Sequence, residues 1–188
     1  MVSMYFDDAL AAIEYHEGKI SWMYLDTRGN VTVGIGLMLP NLDAALAQPF
    51  KIEGMGGPLP ATHDQITNDW NRVTSMPMGK AAVAYHSMSS CFLADEDITA
   101  NLFAYVKTEE ATLQRGLPGY DQFPDPAKIA LLDMGYNLGA AGVLHGYPHL
   151  CAACVAGDWK AASQQCQRRG IGTDRNSWTV AQFLASAS

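Results

Sequence analysis

Residues 17–36, EGKISWMYLDTRGNVTVGIG, constrain the fold more than any other stretch of this chain. They read as a helix end followed by a tight β-hairpin. Phe6, Leu10, Ile13 and Glu17 recur at spacings of four, three and four, so on a helix they share one face. Ser3 or Asp7 can cap the start of that helix, and Gly18 supplies the usual C-terminal stop. Glu17 is therefore expected on the apolar face at the last turn. A carboxyl held against apolar neighbours is harder to ionise, as a general acid near neutral pH requires. After it, Trp22–Leu25 and Val31–Ile35 have strand character, and Asp26-Thr27-Arg28-Gly29-Asn30 between them is rich in turn formers. Strand alternation predicts Thr32, Gly34 and Gly36 on one face and Val31, Val33 and Ile35 on the other. Glycines within a strand weaken it and often mark the close approach of a ligand.

An acid at a helix end, a second carboxylate and a threonine over a glycine-lined strand suit glycoside hydrolysis, which sets two carboxyls about a sugar linkage. Here the sequence closely resembles the phage-type lysozymes, glycoside hydrolase family 24. Their signature of Glu-Gly, then Tyr-x-Asp-x-x-Gly-x-x-Thr-x-Gly-x-Gly, falls without a gap on Glu17-Gly18, then Tyr24, Asp26, Gly29, Thr32, Gly34 and Gly36. The resemblance implies a catalytic set of Glu17, Asp26 and Thr32, with Tyr24, Gly34 and Gly36 against substrate. It implies a mainly α (α+β) lysozyme-like fold: a small lobe with the hairpin, a larger helical lobe, a long helix joining them and a cleft between. No metal or organic cofactor is implied.

The remaining chain is read in the same frame, as one lysozyme-like domain over 1–188. The small lobe covers about 14–94, and the helical lobe about 95–188 plus the N-terminal helix. Residues 40–90 form an insertion relative to the family. Within it, 42–48 are expected to be a short helix and Gly54–Pro60 a loop. Thr62-x-x-Gln65 reads as a capping box opening a helix toward Val73, and 81–88 as helical. Asp95 opens a long helix to about Arg115, with Ile98, Leu102, Tyr105, Val106 and Leu113 on its buried side. A proline-containing loop leads to a helix started by Pro126 and apolar nearly all round. Tyr136-Asn137-Leu138-Gly139 resembles the family's aromatic-Asn-x-Gly motif, which implies Asn137 near substrate. Two helices flank Gly157, the second beginning at Asp158-Trp159. In the 168–176 segment the family carries arginines that approach the cleft. Arg175 is the best match and Arg169 the second.

Charge and cysteine content bear on role. Twelve Lys and Arg against nineteen Asp and Glu leave a net charge of −7, so neither nucleic-acid binding nor long-range attraction to an anionic wall is expected. No apolar run has the length of a membrane span, and the opening MVSMYFDDALAA lacks the basic region and hydrophobic core of a signal peptide. Cys151-Ala-Ala-Cys154 has no second pair to complete a zinc site. A bridge from Cys166 to Cys151 or Cys154 would suit an oxidising periplasm, and buried free thiols are the alternative. The family's activity is hydrolysis of the β-1,4 bond between N-acetylmuramic acid and N-acetylglucosamine. The expected setting is a secreted antibacterial effector acting in the periplasm or cell wall, for instance one delivered by type VI secretion. Its partners are then peptidoglycan, a secretion-machine carrier and a cognate periplasmic immunity protein. A phage endolysin, a lytic transglycosylase and a non-catalytic peptidoglycan-binding module are the alternatives.

Overall fold

The computed structural model describes residues 4–187 and is mainly helical, with a small antiparallel sheet. Among the described residues are nine helices: α1 (Met4–Glu17), α2 (Leu42–Leu46), α3 (His63–Thr74), α4 (Asp95–Gly116), α5 (Asp125–Leu138), α6 (Ala140–Gly146), α7 (Pro148–Ala156), α8 (Trp159–Gln165) and α9 (Thr173–Ala185). Five strands accompany them: β1 (Ile20–Leu25), β2 (Val31–Gly34), β3 (Leu37–Leu39), β4 (Lys51–Ile52) and β5 (Leu59–Pro60). The chain divides into two compact units, Glu17–Leu102 and a helical unit made of Met1–His16 with Phe103–Ser188.

The Glu17–Leu102 unit is built on β1. Its partner β2 pairs antiparallel through Tyr24–Thr32 and Leu25–Val31, and β2 pairs in turn with β3. The expected two-stranded hairpin is thus three-stranded. Val33 pairs with Leu37, so β2 ends at Gly34 and Ile35-Gly36 form the second turn, and the expected face of Thr32, Gly34 and Gly36 does not run on along one strand. Both glycines sit at left-handed φ (+69° and +77°), and a Cβ on Gly34 would meet Ile98 at 3.4 Å. Backbone geometry and close packing account for these glycines.

On its other edge β1 meets Phe92. Leu93 N donates to the Ser21 carbonyl (2.8 Å), and Phe92 exchanges backbone hydrogen bonds with Lys51 on β4 (2.7 and 2.9 Å). One residue therefore ties the three-stranded sheet to the β4–β5 ribbon. That ribbon includes Leu59–Pro60, where the sequence predicts only loop.

The capping box of α3 forms as expected, with Thr62 and Gln65 each satisfying the other's backbone N–H. Asn41 caps α2. Within 81–88 only Ala82–Tyr85 makes a 3-10 turn. Asp69 on α3 is buried; its carboxylate accepts from Arg72 (2.6 Å) and from Cys91 N (2.8 Å), anchoring the chain just before Phe92.

In the helical unit α5 is enclosed all round, with every residue from Ala127 to Gly135 buried, including Lys128 and Asp133. Asp133 is the residue an apolar reading of this helix passes over. Its wholly buried carboxylate accepts from Arg168 Nη2 (2.8 Å) and Arg175 Nη2 (2.8 Å) and lies 3.0 Å from His16 Nδ1. Burial raises its pKa, but the two guanidiniums outweigh that and hold it below the ordinary carboxylate value. The α6 helix, not expected from the sequence, has no cap of its own; Glu109 on α4 accepts from Ala140 N instead. Asp158 caps α8 through Ala161 N (2.9 Å). Tyr105 is exposed, unlike Ile98, Leu102, Val106 and Leu113 on the same helix, and packs edge-on against Tyr136. All four cysteines are free thiols. Burial pushes Cys154 up to about 12 and Cys166 up to about 11, so neither is a ready nucleophile. No described helix is long and apolar enough to cross a membrane.

Asp133→Asn removes a buried charge that both arginines pair with. Breaking a buried pair this way costs about 3–5 kcal/mol. Because the folded-state pKa of Asp133 is lowered, its contribution is full above the ordinary carboxylate value and is lost as pH falls through the folded value. Urea unfolding of parent and variant should therefore differ most at neutral pH and converge in acid. Equal midpoints at pH 7 would refute the role assigned to this cluster.

Candidate active site

Tyr24 is the centre of the motif residues in the Glu17–Leu102 unit. It pairs across the sheet with Thr32, and the chain turns at Asp26 two residues later. The Tyr24 phenol is half-buried and its pKa is raised by burial first, then by the charge of Asp26 and of Glu17.

Asp26 is deeply engaged with its own turn. Oδ1 accepts from the backbone N–H groups of Arg28 and Asn30 (both 2.8 Å), and Oδ2 accepts from the Asn30 side-chain amide (3.0 Å). Backbone bonds Asp26 N to Asn30 O and Gly29 N to Asp26 O close the loop. Partial burial raises the Asp26 pKa, but these hydrogen bonds prevail and set it below the ordinary value. A carboxylate offers about four lone-pair sites, so three acceptances leave room for a water. Such a carboxylate stays ionised, the form that can accept a hydrogen bond, or a proton, from that water.

Thr32 is buried and donates its hydroxyl to the Asn30 carbonyl (3.2 Å). Every residue of β2 is buried, so the face that carries Thr32 is covered. Asn30 therefore connects Asp26 to Thr32: its amide holds the carboxylate and its carbonyl holds the hydroxyl. Sequence analysis missed it, although an Asx-type turn with Asn at its end was a signal for it.

Glu17 departs from expectation. It is the last residue of α1, and Phe6, Ala9 and Ile13 form the buried stripe before it. Gly18 leaves the helix at φ +74°, and Glu17 emerges beyond the stripe, exposed, instead of being held among apolar side chains. Ser3, one of the two expected caps of this helix, lies outside the described residues, and Asp7 sits within the first turn.

The other expected substrate residues have different surroundings. Gly34 is buried at the end of β2 and Gly36 is exposed in the second turn. Asn137 is exposed near the end of α5 in the helical unit. Arg175, in the same unit, is gripped by Asp133, while Arg169 is exposed and Arg168 is the buried arginine of its segment. The insertion reaches the Asp26 turn: Met78 Sδ lies 3.3 Å from where a Cβ on Gly29 would be. The buried Tyr85 fixes that loop by donating to the Pro77 carbonyl (2.9 Å). Among the described residues no group of three or more His, Cys, Asp or Glu is arranged to hold a metal.

Asn30→Ala should loosen the turn and let the Asp26 pKa rise toward its ordinary value, which a carboxylate NMR titration reads directly. The stability lost should be modest, about 0.5–1 kcal/mol for a partly solvated hydrogen bond to a charge. Because the folded pKa is lowered, that loss is full above the ordinary aspartate value and fades as pH falls below it. An unchanged Asp26 titration would mean that the Asn30 amide does not hold the carboxylate.

No protein-family model matches the chain, and no curated protein matches it either.

Proposed function

We propose that this protein is a muramidase that hydrolyses the β-1,4 linkage between N-acetylmuramic acid and N-acetylglucosamine in bacterial peptidoglycan, and that it serves as an antibacterial effector. One observation carries the proposal: the motif residues gather at one end of the sheet, where Tyr24 pairs with Thr32 and Asn30 joins the Asp26 carboxylate to the Thr32 hydroxyl. The ungapped resemblance to the phage-type lysozymes supports it.

In this mechanism Glu17 protonates the leaving glycosidic oxygen. Asp26, kept ionised by its turn, activates the attacking water, taking its proton as the new C–O bond forms and the glycosidic C–O bond breaks. Thr32, held by Asn30, limits where that water can sit. Inversion at the anomeric carbon requires carboxyls about 6.5–9.5 Å apart, leaving space for the water between them. A lytic transglycosylase is the second proposal. What favours it is that Asp26 already accepts three hydrogen bonds within its turn, a structural use that would leave one acid for the chemistry.

Glu17→Gln keeps the shape and removes the acid, and should cut wall hydrolysis by about 10²–10⁴. Asp26→Asn should be severely impaired and Thr32→Ala less so, since a hydroxyl can orient water but cannot carry the negative charge. The assay is turbidity loss on purified peptidoglycan with analysis of the released ends. New reducing ends mark hydrolysis, and anhydro ends mark the transglycosylase. Near-parental activity of Glu17→Gln would remove Glu17 as the acid.

The acidic charge yields a test of setting. A protein at −7 is repelled by an anionic envelope, an effect that fades as salt rises. Cells expressing the chain in the cytoplasm should grow normally. Fusion to an export signal should make them round and lyse, and Glu17→Gln should suppress that. Growth arrest confined to the cytoplasmic form would exclude a wall target.

A further inference from the structure

The insertion builds two adjoining recesses in the Glu17–Leu102 unit. The larger, about 550 Å³, is within the usual size of ligand sites. Its walls include Trp22, Phe92 and His86, with Ser87, Glu53 and Asp95 at polar positions. The smaller, about 420 Å³, shares Glu53 and Met88 with it and adds Gln65, Asn68 and Arg72. Tyr24, Asp26 and Thr32 line neither.

The walls are firmly placed. Trp22 lies on β1, and its indole N–H donates to the Ala82 carbonyl (3.0 Å). The His86 ring packs on the indole with centroids 4.5 Å apart. Phe92 is clamped between β1 and β4, and Arg72 is fixed by Asp69 and Ser90 (3.0 Å). Rigid aromatic surface beside carboxylate, hydroxyl and amide groups is a particular combination. A pyranose ring matches it, because its C–H face is apolar and its edge carries hydroxyls that need acceptors. A second recess sharing Glu53 and Met88 extends the same chemistry to a following unit.

We propose that these recesses form a glycan-binding groove, separate from the catalytic residues, that takes consecutive N-acetylated amino-sugar units of a β-1,4-linked strand. The sugar identity rests on the muramidase proposal. The groove's existence as a sugar site rests on Trp22, His86, Phe92 and Glu53. A neutral amino sugar also meets no repulsion from Glu53 and Asp95, whereas an anionic ligand would. The groove gives an enzyme of negative net charge a means of staying on its polymer.

The test uses the full chain with Glu17→Gln, which prevents turnover, and a soluble β-1,4-linked N-acetylglucosamine hexamer as the probe. The Trp22 indole N–H resonance should move saturably with the hexamer. His86→Ala and Glu53→Gln, both at exposed positions, should each weaken that response by about fivefold or more. Thr32→Ala should leave it within about twofold, and thermal melting confirms that each variant is folded. A Trp22 resonance that ignores the hexamer overturns the groove, even where the parent clears peptidoglycan and the muramidase proposal stands. A saturable Trp22 response from a parent that cleaves no wall sustains the groove and rejects the muramidase. If only a free lysine-containing stem peptide moves Trp22, the site takes an ammonium group and the sugar assignment is overturned.

Discussion

The helical unit depends on one buried negative charge. Asp133 stands in the middle of a helix enclosed on every side, where an isolated carboxylate would be too costly to keep ionised. Arg168 and Arg175 make it tolerable, and with His16 they bring four separate stretches of chain to one point: α1, α5, the segment after α8, and α9. The attachment is directional, because a guanidinium meets a carboxylate as a planar fork. Apolar packing alone would let these helices slide or rotate at small cost. Arg168 also accounts for Thr179, whose hydroxyl lies 2.8 Å from the same guanidinium.

The sheet-bearing unit relies on a different device. Its polar residues are held by short-range turns rather than by distant ions. Asp26 orders five residues of its own loop, and Asn30 transmits that order to Thr32 on the next strand. The insertion then leans on the loop through Met78, itself fixed by Tyr85. The segment from 40 to 90 is therefore packed into the unit against the Asp26 turn, along β1 and, through α2 and α3, against β2 and β3.

Much of this was legible in the sequence because local rules dominated. Gly18 ended α1, Thr62 and Gln65 made their capping box, and the turn formers at 26–30 made a turn. What was not legible was whatever distant partners decide. Strand alternation assumed a strand running to Ile35, but pairing with β3 ended β2 at Gly34 and turned its glycines into a bend. The period of α1 placed Glu17 on the buried stripe, yet the chain's exit at Gly18 left it exposed. Asp133 was invisible because nothing near it in sequence announces two arginines more than thirty positions away. For the candidate site, the motif named the carboxylates and Thr32, while Asn30, which links them, required the structure.

The backbone ladder at Phe92 has a consequence for how the chain reaches this state. The first strand acquires its outer neighbour only after all of the intervening insertion has been made, because Phe92 lies far along the chain from Trp22. Pairings between such remote segments form slowly, since a long loop must be closed before any contact repays it. During that interval β1 presents an open edge beside apolar Met23 and Leu25, the kind of edge on which unrelated chains pair. Docking of 91–93 between two strands is thus a long-range step in this unit's folding, and until it happens the edge of β1 is open to aggregation.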